Sequence, residues 1–433
     1  MNIKSGPCDG LHGSIRVISS KYHFTRAMIL ASLAHGRSTI TDVTGAFVGK
    51  MTSTTENIAA FGPTIEFAGD TCVIDGGDYR TPGDVIDVDD SGTTLQFLLG
   101  VAAACPGWTV FTGGESLRRR PMRALLDSLS LLGVQCHSAQ GDGTAPIIVR
   151  GGGFAGGETE ISGFISQWLS GVLICAPLSR DGVTVRVTDT LREKPYIDMT
   201  LQMLDAFGIE YDASRAPDLY SVPGGQTYKP ANLTIPGDFC VASVPMVAAA
   251  ITPGSDIALQ NLDMTSIHPE KRIVDIMLEM GADLTIDADA KTIRVRGSKP
   301  MRGVEIDVTH SPDLVPILSV LACFAEGTTR IVNGEHVRYK ESDRIASMME
   351  LVKIGARIEE RRDGLDIVGV GGYRGSATLD AYLDHRVATA LSVAGLKGDR
   401  EITVSRAENF VQSYPGFVND MNRLGASLSI EEG

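Results

Sequence analysis

One segment of the sequence concentrates charged side chains at the start of a predicted helix. In VRYKESDRIASMMELVKIG, the residues Lys340, Glu341, Asp343 and Arg344 precede apolar residues at three- and four-residue spacing. A lysine beside a glutamate can tune a carboxylic acid for proton transfer, and an arginine can hold a carboxylate or phosphate through two parallel hydrogen bonds. The alternative is a helix start held by ordinary salt bridges. Acid–base chemistry on an anion and a structural ion-pair network both fit this segment.

Three more segments place cations or small polar residues where helices are predicted to begin. Lys21 and Arg26 open the helix in SSKYHFTRA, and Gly92 lies in DDSGTT before an apolar run. Arg120 precedes a proline in SLRRRPM. The N-terminus of a helix attracts anions, so a cation there is expected to point at an anion. A solvated basic loop and an ordinary N-cap are the alternative interpretations.

The composition limits the classes of partner. A formal net charge of −14 argues against a nucleic-acid surface, which needs a basic face. An anionic substrate must therefore meet locally concentrated arginines and lysines. The N-terminal segment has no apolar core of a signal peptide, and the longest apolar stretch is too short to cross a bilayer. These features predict a cytoplasmic protein of ordinary globular composition.

The cysteines do not form a recognisable framework. The seven cysteines are scattered, with no CxxC pair and no neighbouring histidine cluster, which argues against a structural zinc site or a set of disulfides. We predict that most of them are small core residues. The sequence also contains neither GxSxG nor HExxH, which excludes triad hydrolases and zinc proteases of those types.

A short signature recurs six times, and it defines the elements that must position these side chains. Each copy has a helical pattern, a glycine and then an alternating, strand-like pattern, as in EMGADLTI and RLGASLSI. The glycines, 70 to 75 residues apart, are Gly62, Gly133, Gly208, Gly281, Gly355 and Gly425. Each is predicted to end a helix before a strand. Six α/β units of this size favour two domains of three units, joined near YSVPGGQTYKPANLTIPGD, with a ligand in the cleft between them.

Taken in order, these segments resemble the 5-enolpyruvylshikimate-3-phosphate synthase family over essentially the whole chain. The matching segments are SSKYHFTRA, SGTT, RRRPM, SQWLSGVL, EKPYIDMTLQML, PDLVP, AEGTTRI, VRYKESDRI, DHRVA and SYPGF. The resemblance implies a two-lobed α/β fold in which each lobe has three βαβαββ repeats, an inverse α/β barrel. It places one lobe at residues 20–237 and the other at 1–19 plus 238–433, with the active site in the cleft between them.

The resemblance also implies an activity. Such enzymes move the carboxyvinyl group of phosphoenolpyruvate onto a hydroxyl group of an acceptor, through a tetrahedral ketal, without a metal or other cofactor. Asp313 would accept the proton of the attacking hydroxyl, Glu341 would protonate the methylene carbon, and Lys21 would stabilise the developing charge. The residues expected to bind phosphoenolpyruvate are Lys21, Gly92, Arg120, Gln167, Arg344 and Arg386.

The acceptor side departs from the family pattern. Tyr22, Ile165 and Glu193 stand where the family usually has serine, and His336 stands where it often has asparagine. In the family, those serines hold the phosphate of shikimate 3-phosphate. The residues expected at the acceptor are Tyr22, Arg26, Ile165, Ser166, Gln167, Glu193, Tyr196, Asp313, His336 and Lys340.

Three hypotheses about function follow. The leading one is an enolpyruvyl transferase with a specialised acceptor, such as a nucleotide or another hydroxylated metabolite. The alternative is a 3-phosphoshikimate 1-carboxyvinyltransferase of the shikimate pathway to aromatic amino acids. The third is a non-catalytic sensor of phosphoenolpyruvate, against which the presence of both Asp313 and Glu341 argues. All three predict small-molecule partners, no nucleic acid or membrane partner, and a monomer or small homo-oligomer.

Overall fold

The chain forms two compact units. The computed structural model describes residues 1–45 and 50–432 of the sequence. One unit, here called the inserted unit, is Ser19–Ile235, and the other, the terminal unit, combines Met1–Ile18 with Pro236–Gly433. Each unit has its own continuous hydrophobic core.

The described residues contain twelve α-helices, six in each unit. Those of the inserted unit are α1 Lys21–Leu33, α2 Lys50–Ala59, α3 Gly92–Ala104, α4 Arg123–Leu131, α5 Ser166–Cys175 and α6 Lys194–Ala206. Those of the terminal unit are α7 Phe239–Ile251, α8 Arg272–Met280, α9 Val315–Ala322, α10 Arg344–Ser347, α11 His385–Gly395 and α12 Phe417–Leu424.

The strands are short and are distributed over both units. The terminal unit begins with β1 Asn2–Gly6 and β2 His12–Arg16. The inserted unit contains β3 Gly36–Thr41, β4 Thr64–Ala68, β5 Thr71–Gly76, β6 Ile86–Asp87, β7 Trp108–Thr112, β8 Gln135–Ser138, β9 Ile147–Arg150, β10 Gly157–Ile161, β11 Val183–Val187, β12 Leu219–Val222 and β13 Asn232–Thr234. The terminal unit continues with β14 Asp256–Gln260, β15 Asp283–Asp287, β16 Thr292–Arg296, β17 Met301–Arg302, β18 Glu305–Asp307, β19 Ala325–Glu326, β20 Thr328–Val332, β21 Arg357–Arg361, β22 Gly364–Val368, β23 Thr378–Asp380, β24 Ile402–Ser405 and β25 Ser427–Glu431.

Six sheets share one topology, three in each unit. The strand orders are β13-β3-β5-β4, β6-β7-β9-β8 and β10-β11-β12 in the inserted unit, and β2-β14-β16-β15, β18-β20-β22-β21 and β23-β24-β1-β25 in the terminal unit. In each sheet the first pair is parallel and the later pairs are antiparallel. The chain order β6-α3-β7-α4-β8-β9 is one βαβαββ repeat. The predicted α/β class and its βαβαββ repeats are confirmed.

The six signature glycines lie where the repeats turn from helix to strand. All six have positive φ angles, from 71° at Gly208 to 123° at Gly62. Only glycine adopts this left-handed conformation without steric cost, which explains why the signature keeps it. In five copies a strand follows within a few residues. After Gly208, the described chain forms only a single bridge, between Asp212 and Ser221, so the third sheet has three strands.

One helix of each repeat is almost entirely buried. These inner helices are α1, α3 and α5 in the inserted unit and α7, α9 and α11 in the terminal unit. In α7, FCVASVPMVAAAI, every residue is buried, as expected of a helix that is apolar on all sides. The second helix of a repeat, such as α12, buries only one face. Among the described residues, no helix is both long and apolar enough to span a bilayer.

Candidate active site

Arg344 holds three carboxylates of the terminal unit together. Its side chain is 0 % exposed, and its guanidinium donates to Asp313 Oδ1 and Glu341 Oε2, each at 2.7 Å. It also donates to Asp384 Oδ2 at 2.8 Å. Burial alone would lower the pKa of Arg344, but the three carboxylates outweigh it and raise the pKa well above its usual value. The arginine is therefore a permanent cation inside an acidic cluster.

Asp313 faces two further cations. Lys340 Nζ lies 3.8 Å from its Oδ1, and Arg386 Nε lies 3.8 Å from its Oδ2. Burial alone would raise the pKa of Asp313, yet Arg344, Lys340 and Arg386 together hold that pKa well below its usual value. Asp313 is consequently ionised at neutral pH, as a group that accepts a proton must be.

The starts of α9, α10 and α11 bring this cluster together. Asp313 lies in a single 3-10 turn that leads into α9, and Arg344 is the first residue of α10. Asp384 is the N-cap of α11, where its Oδ1 accepts from the backbone NH of Arg386 at 2.8 Å. Because α9 packs against both α10 and α11, residues more than 70 positions apart in sequence meet at one point.

The inserted unit repeats this arrangement with different side chains. Lys21, Gly92 and Ser166 are the first residues of α1, α3 and α5. Gly171 of α5 packs against Gln96 of α3, and both residues lie near the starts of their helices. The helices α3 and α5 therefore begin side by side. Helix starts that lie together concentrate backbone NH groups and positive helix dipole, which suits an anion.

Gly92 and Arg120 are direct neighbours. Arg120 follows a 3-10 turn, and its Nη2 donates to Ser116 Oγ at 3.4 Å. A Cβ atom added to Gly92 would lie 2.8 Å from Arg120 Nη1, so the guanidinium lies directly against the start of α3. The structure thus brings together two of the residues that the resemblance assigns to phosphoenolpyruvate. Lys21, half-buried, has its Nζ 5.3 Å from the ring centroid of Tyr22.

Three of the residues predicted to bind the acceptor form a buried cluster. Arg26, 1 % exposed, donates from Nη1 to Tyr22 O at 3.1 Å and from Nη2 to Tyr196 O at 3.2 Å. The rings of Tyr22 and Tyr196 have centroids 4.9 Å apart. Burial lowers the pKa of Arg26 to about 10, and the guanidinium remains charged at neutral pH. This cluster joins the starts of α1 and α6.

Two further residues predicted to bind the acceptor join the starts of α5 and α6. Glu193 is 1 % exposed and has left-handed backbone angles at the N-cap of α6. Its Oε2 accepts from Ser166 Oγ at 2.6 Å. The serine hydroxyl therefore already donates to a carboxylate of the same protein.

Four residues predicted to bind the acceptor remain, two in each unit. Ile165 and Gln167, on either side of Ser166, are half-buried. In the terminal unit, His336 is buried in the 3-10 turn that precedes Lys340. Lys340 itself belongs to the cluster around Asp313, as given above.

The chain matches one protein family over most of its length. A family model described as EPSP synthase (3-phosphoshikimate 1-carboxyvinyltransferase) matches residues 7–421. The chain belongs to this family. It is therefore an enolpyruvyl transferase, and small molecules are its substrates.

Individual members of the EPSP synthase family are similar over the full chain. A 3-phosphoshikimate 1-carboxyvinyltransferase of Methanocella arvoryzae is 42% identical over 423 residues, which cover 96% of this chain and 97% of the relative. One of Methanocaldococcus jannaschii is 40% identical, with 98% of each chain covered. The solved EPSP synthase of Acinetobacter baumannii has a TM-score of 0.83 at 27% identity and full coverage of both chains. The enolpyruvyl transferase NikO of Streptomyces tendae, at 18% identity, covers 99% of this chain and 98% of its own with a TM-score of 0.80, and shares the fold.

Sequence reasoning missed one member of the acidic cluster. In the segment DHR, only Arg386 is a predicted site residue. Asp384, the first residue of that segment, contacts Arg344 through both carboxylate oxygens, at 2.8 and 3.3 Å. The signal that could have found it is an aspartate directly before an apolar helix, which is typical of an N-cap. An aspartate at an N-cap can accept from the helix backbone with one carboxylate oxygen and from a second donor with the other.

Replacing Gly92 with alanine is expected to raise the KM for phosphoenolpyruvate about tenfold to a hundredfold, since one charge-assisted hydrogen bond contributes about 1.5 to 3 kcal/mol. The added Cβ would displace the Arg120 guanidinium, which is the mobile end of a long side chain, so the fold should be unaffected. Steady-state kinetics and thermal unfolding test this. Gly83→Ala is the control, because its Cβ would meet nothing within 4 Å. An unchanged KM in Gly92→Ala would contradict the assignment of Arg120.

Proposed function

We propose that the chain transfers the enolpyruvyl group of phosphoenolpyruvate to 3-phosphoshikimate and releases phosphate. The observation that carries this proposal is full-length similarity, at about two-fifths identity, to relatives named for that reaction. These names favour the shikimate acceptor over the specialised acceptor that the sequence alone put first. The buried cluster around Arg344 supports the transfer, since it supplies a carboxylate base, a second carboxyl group and cations within the same few ångströms.

The first step requires a proton to leave the acceptor and another to reach phosphoenolpyruvate. Asp313 accepts the proton of the acceptor hydroxyl while the oxygen of that hydroxyl bonds to C2 of phosphoenolpyruvate. Glu341, in its acid form, donates a proton to C3, which becomes a methyl group. The product of this addition is the tetrahedral ketal. In the second step C3 returns the proton to Glu341, the double bond forms again, and the C–O bond to phosphate breaks.

Anion binding would prepare Asp313 for this role. Arg344 contributes most to the low pKa of Asp313 after burial is taken into account. When Arg344 instead pairs with the carboxylate or phosphate of phosphoenolpyruvate, its hold on Asp313 weakens and the carboxylate becomes a stronger base. Binding of phosphoenolpyruvate thus activates Asp313, the base that takes the proton of the acceptor hydroxyl.

We further propose that the inserted and terminal units are the two lobes expected from the resemblance and that residues of both act on one phosphoenolpyruvate molecule. Lys21 and Arg120 come from the inserted unit, and Arg344 and Arg386 come from the terminal unit. Four cations on one small, highly charged anion explain how a protein of net charge −14 captures it.

A second candidate function is transfer to a different hydroxylated acceptor, such as a nucleotide. The observation that favours it is the hydrogen bond from Ser166 Oγ to Glu193 at 2.6 Å, at positions where the family holds a phosphate. A carboxylate about 4 Å from a phosphate charge is repelled by roughly 4 kcal/mol per unit charge at an effective dielectric near 20. Against this stands Arg26, whose buried charge interacts with Glu193 and offsets it.

Phosphate release from phosphoenolpyruvate across a panel of acceptors separates these candidates. We expect the unmodified protein to use 3-phosphoshikimate, and the double variant Ile165→Ser with Glu193→Ser to change its kcat/KM by less than about tenfold. Use of a nucleoside monophosphate by the unmodified protein, with 3-phosphoshikimate used only by the double variant, would establish the second candidate. Binding of phosphoenolpyruvate without turnover of any acceptor would instead identify a sensor.

A further inference from the structure

The chain directly before Asp384 has an uncommon backbone conformation. Tyr382 and Leu383 have φ angles of 52° and 59°, so two consecutive residues other than glycine are left-handed. Bulky residues rarely adopt this conformation, because their Cβ atom crowds the backbone. Both side chains are exposed, so apolar burial contributes little to holding them. Residues 380–383, here called the 380–383 segment, must therefore be held by contacts with neighbouring elements.

Glu350 makes two of those contacts. It is buried, and its Oε2 accepts from the backbone NH of Asp380 at 2.8 Å while its Oε1 accepts from Tyr382 Oη at 3.1 Å. Asp380 Oδ1 in turn accepts from the backbone NH of Tyr382 at 2.7 Å. The exposed Lys353 pairs with Glu350 Oε2 at 2.6 Å. Two hydrogen bonds to one buried carboxylate thus fix the beginning and the middle of the segment.

Two residues that follow β24 hold the segment from another side. Arg406 donates from Nε to Asp380 Oδ1 at 2.8 Å, and its Cζ lies 5.2 Å from the ring centroid of Tyr382. Asn409 Nδ2 donates to the backbone carbonyl of Leu383 at 2.6 Å. Contacts from two directions therefore keep the segment in its left-handed conformation.

Glu350 is also connected to Arg344 through a helix. Arg344 begins α10, which continues directly into the 3-10 helix Met348–Ile354 that contains Glu350. Arg344 contacts Asp384 itself, whereas Glu350 contacts the residues just before Asp384. Asp384 is both the N-cap of α11 and the partner of two guanidinium nitrogens of Arg344. The position of its carboxylate relative to Arg344 therefore depends on Glu350 as well as on the direct ion pair.

We propose that Glu350 is a positioning residue for the binding of phosphoenolpyruvate. It acts through the 380–383 segment, which places the carboxylate of Asp384, and Asp384 in turn orients the guanidinium of Arg344. The inference rests on the proposed function, in which Arg344 binds phosphoenolpyruvate. An arginine that is already oriented loses less side-chain freedom when it binds an anion, so binding is tighter. Loss of Glu350 should therefore weaken the binding of phosphoenolpyruvate in addition to any effect on stability.

The KM for phosphoenolpyruvate tests this inference on the full-length protein, by phosphate release with the acceptor that the panel above identifies. We expect Glu350→Ala to raise this KM about tenfold to a hundredfold. A structural role alone would lower the amount of folded enzyme and hence kcat, at an unchanged KM. Glu350→Gln should restore the KM to within about threefold of the unmodified protein. Its amide oxygen can accept from the NH of Asp380, and its amide NH₂ can donate to Tyr382 Oη.

Leu351→Ala is the matched control for stability. Leu351 is fully buried in the same 3-10 helix, so its truncation should destabilise the terminal unit through a cavity while leaving both contacts of Glu350 in place. Thermal unfolding measures this loss, and the KM should equal that of the unmodified protein. A KM raised as much in Leu351→Ala as in Glu350→Ala would overturn the inference, because instability alone would then account for it. A KM for Glu350→Gln as high as that of Glu350→Ala would overturn it as well.

Arg344→Lys separates failure of this inference from failure of the proposed function, because lysine cannot replace the planar fork of arginine. A raised KM in Arg344→Lys with an unchanged KM in Glu350→Ala overturns the inference alone. An unchanged KM in Arg344→Lys overturns both. If Glu350→Ala does not fold, Tyr382→Phe decides the matter, since it removes only the exposed tyrosine's hydroxyl contact. It should raise the KM about threefold to tenfold, and an unchanged KM would overturn the inference.

Discussion

Replacing Arg344 with alanine is expected to lower the free energy of unfolding by about 3 to 5 kcal/mol and to abolish transfer, because removing one partner leaves buried charges uncompensated. Asp313, Glu341 and Asp384 would then face one another without the guanidinium that contacts all three. The carboxylates would respond by taking up protons, and Asp313 would no longer be ionised for its role. Urea denaturation at neutral pH, together with phosphate release, measures both effects.

The control for this experiment is Arg362→Ala. Arg362 is 86% exposed and pairs with Glu335 at 2.8 Å. This is an arginine–carboxylate ion pair like those of Arg344, but its arginine is exposed to solvent. Its denaturation midpoint should equal that of the unmodified protein, because exposed pairs contribute little. If the denaturation midpoint of Arg344→Ala is also unchanged, other groups neutralise the acidic cluster and Arg344 is not its central cation.

The repeats of the fold were open to prediction from sequence because their signals are local. A helix that must turn into a strand within two residues needs a left-handed residue, and glycine meets that need in the five copies where a strand follows. The predicted phosphoenolpyruvate pair Gly92 and Arg120 also lies together. Gly92 begins α3 and Arg120 lies just before α4, and turn residues mark both helix starts. Local conformational rules therefore carry much of the architecture.

Partners across repeats could not be predicted in the same way. Arg344 meets Asp384 across 40 residues, and Ser166 meets Glu193 across 27. Each pairing depends on which inner helices lie side by side and on the rotation of each helix about its axis. Sequence periodicity marks the buried faces of helices but leaves their neighbours open.

Converting Glu341 to glutamine should lower kcat by about a hundredfold to ten thousandfold, which is the usual contribution of a positioned general acid. Glutamine has the same shape and keeps an oxygen for the 2.7 Å hydrogen bond from Arg344, but it cannot donate a proton to carbon. Arg344 would keep its hydrogen bonds to Asp313 and Asp384, so the fold should persist. The KM for phosphoenolpyruvate should change little, because Arg344, which is proposed to bind it, stays in place.

Steady-state phosphate release gives kcat and KM for this variant, and circular dichroism checks its fold. Exchange of the C3 hydrogens of phosphoenolpyruvate with deuterated solvent, in the presence of acceptor, isolates the proton transfer and should fall in parallel with kcat. Glu335→Gln is the control, because Glu335 is a nearby carboxylate whose described ion pair is with exposed Arg362. It should behave as the unmodified protein. Activity of Glu341→Gln within about threefold of the unmodified protein would show that another group donates the proton, and the assignment of the acid would then be wrong.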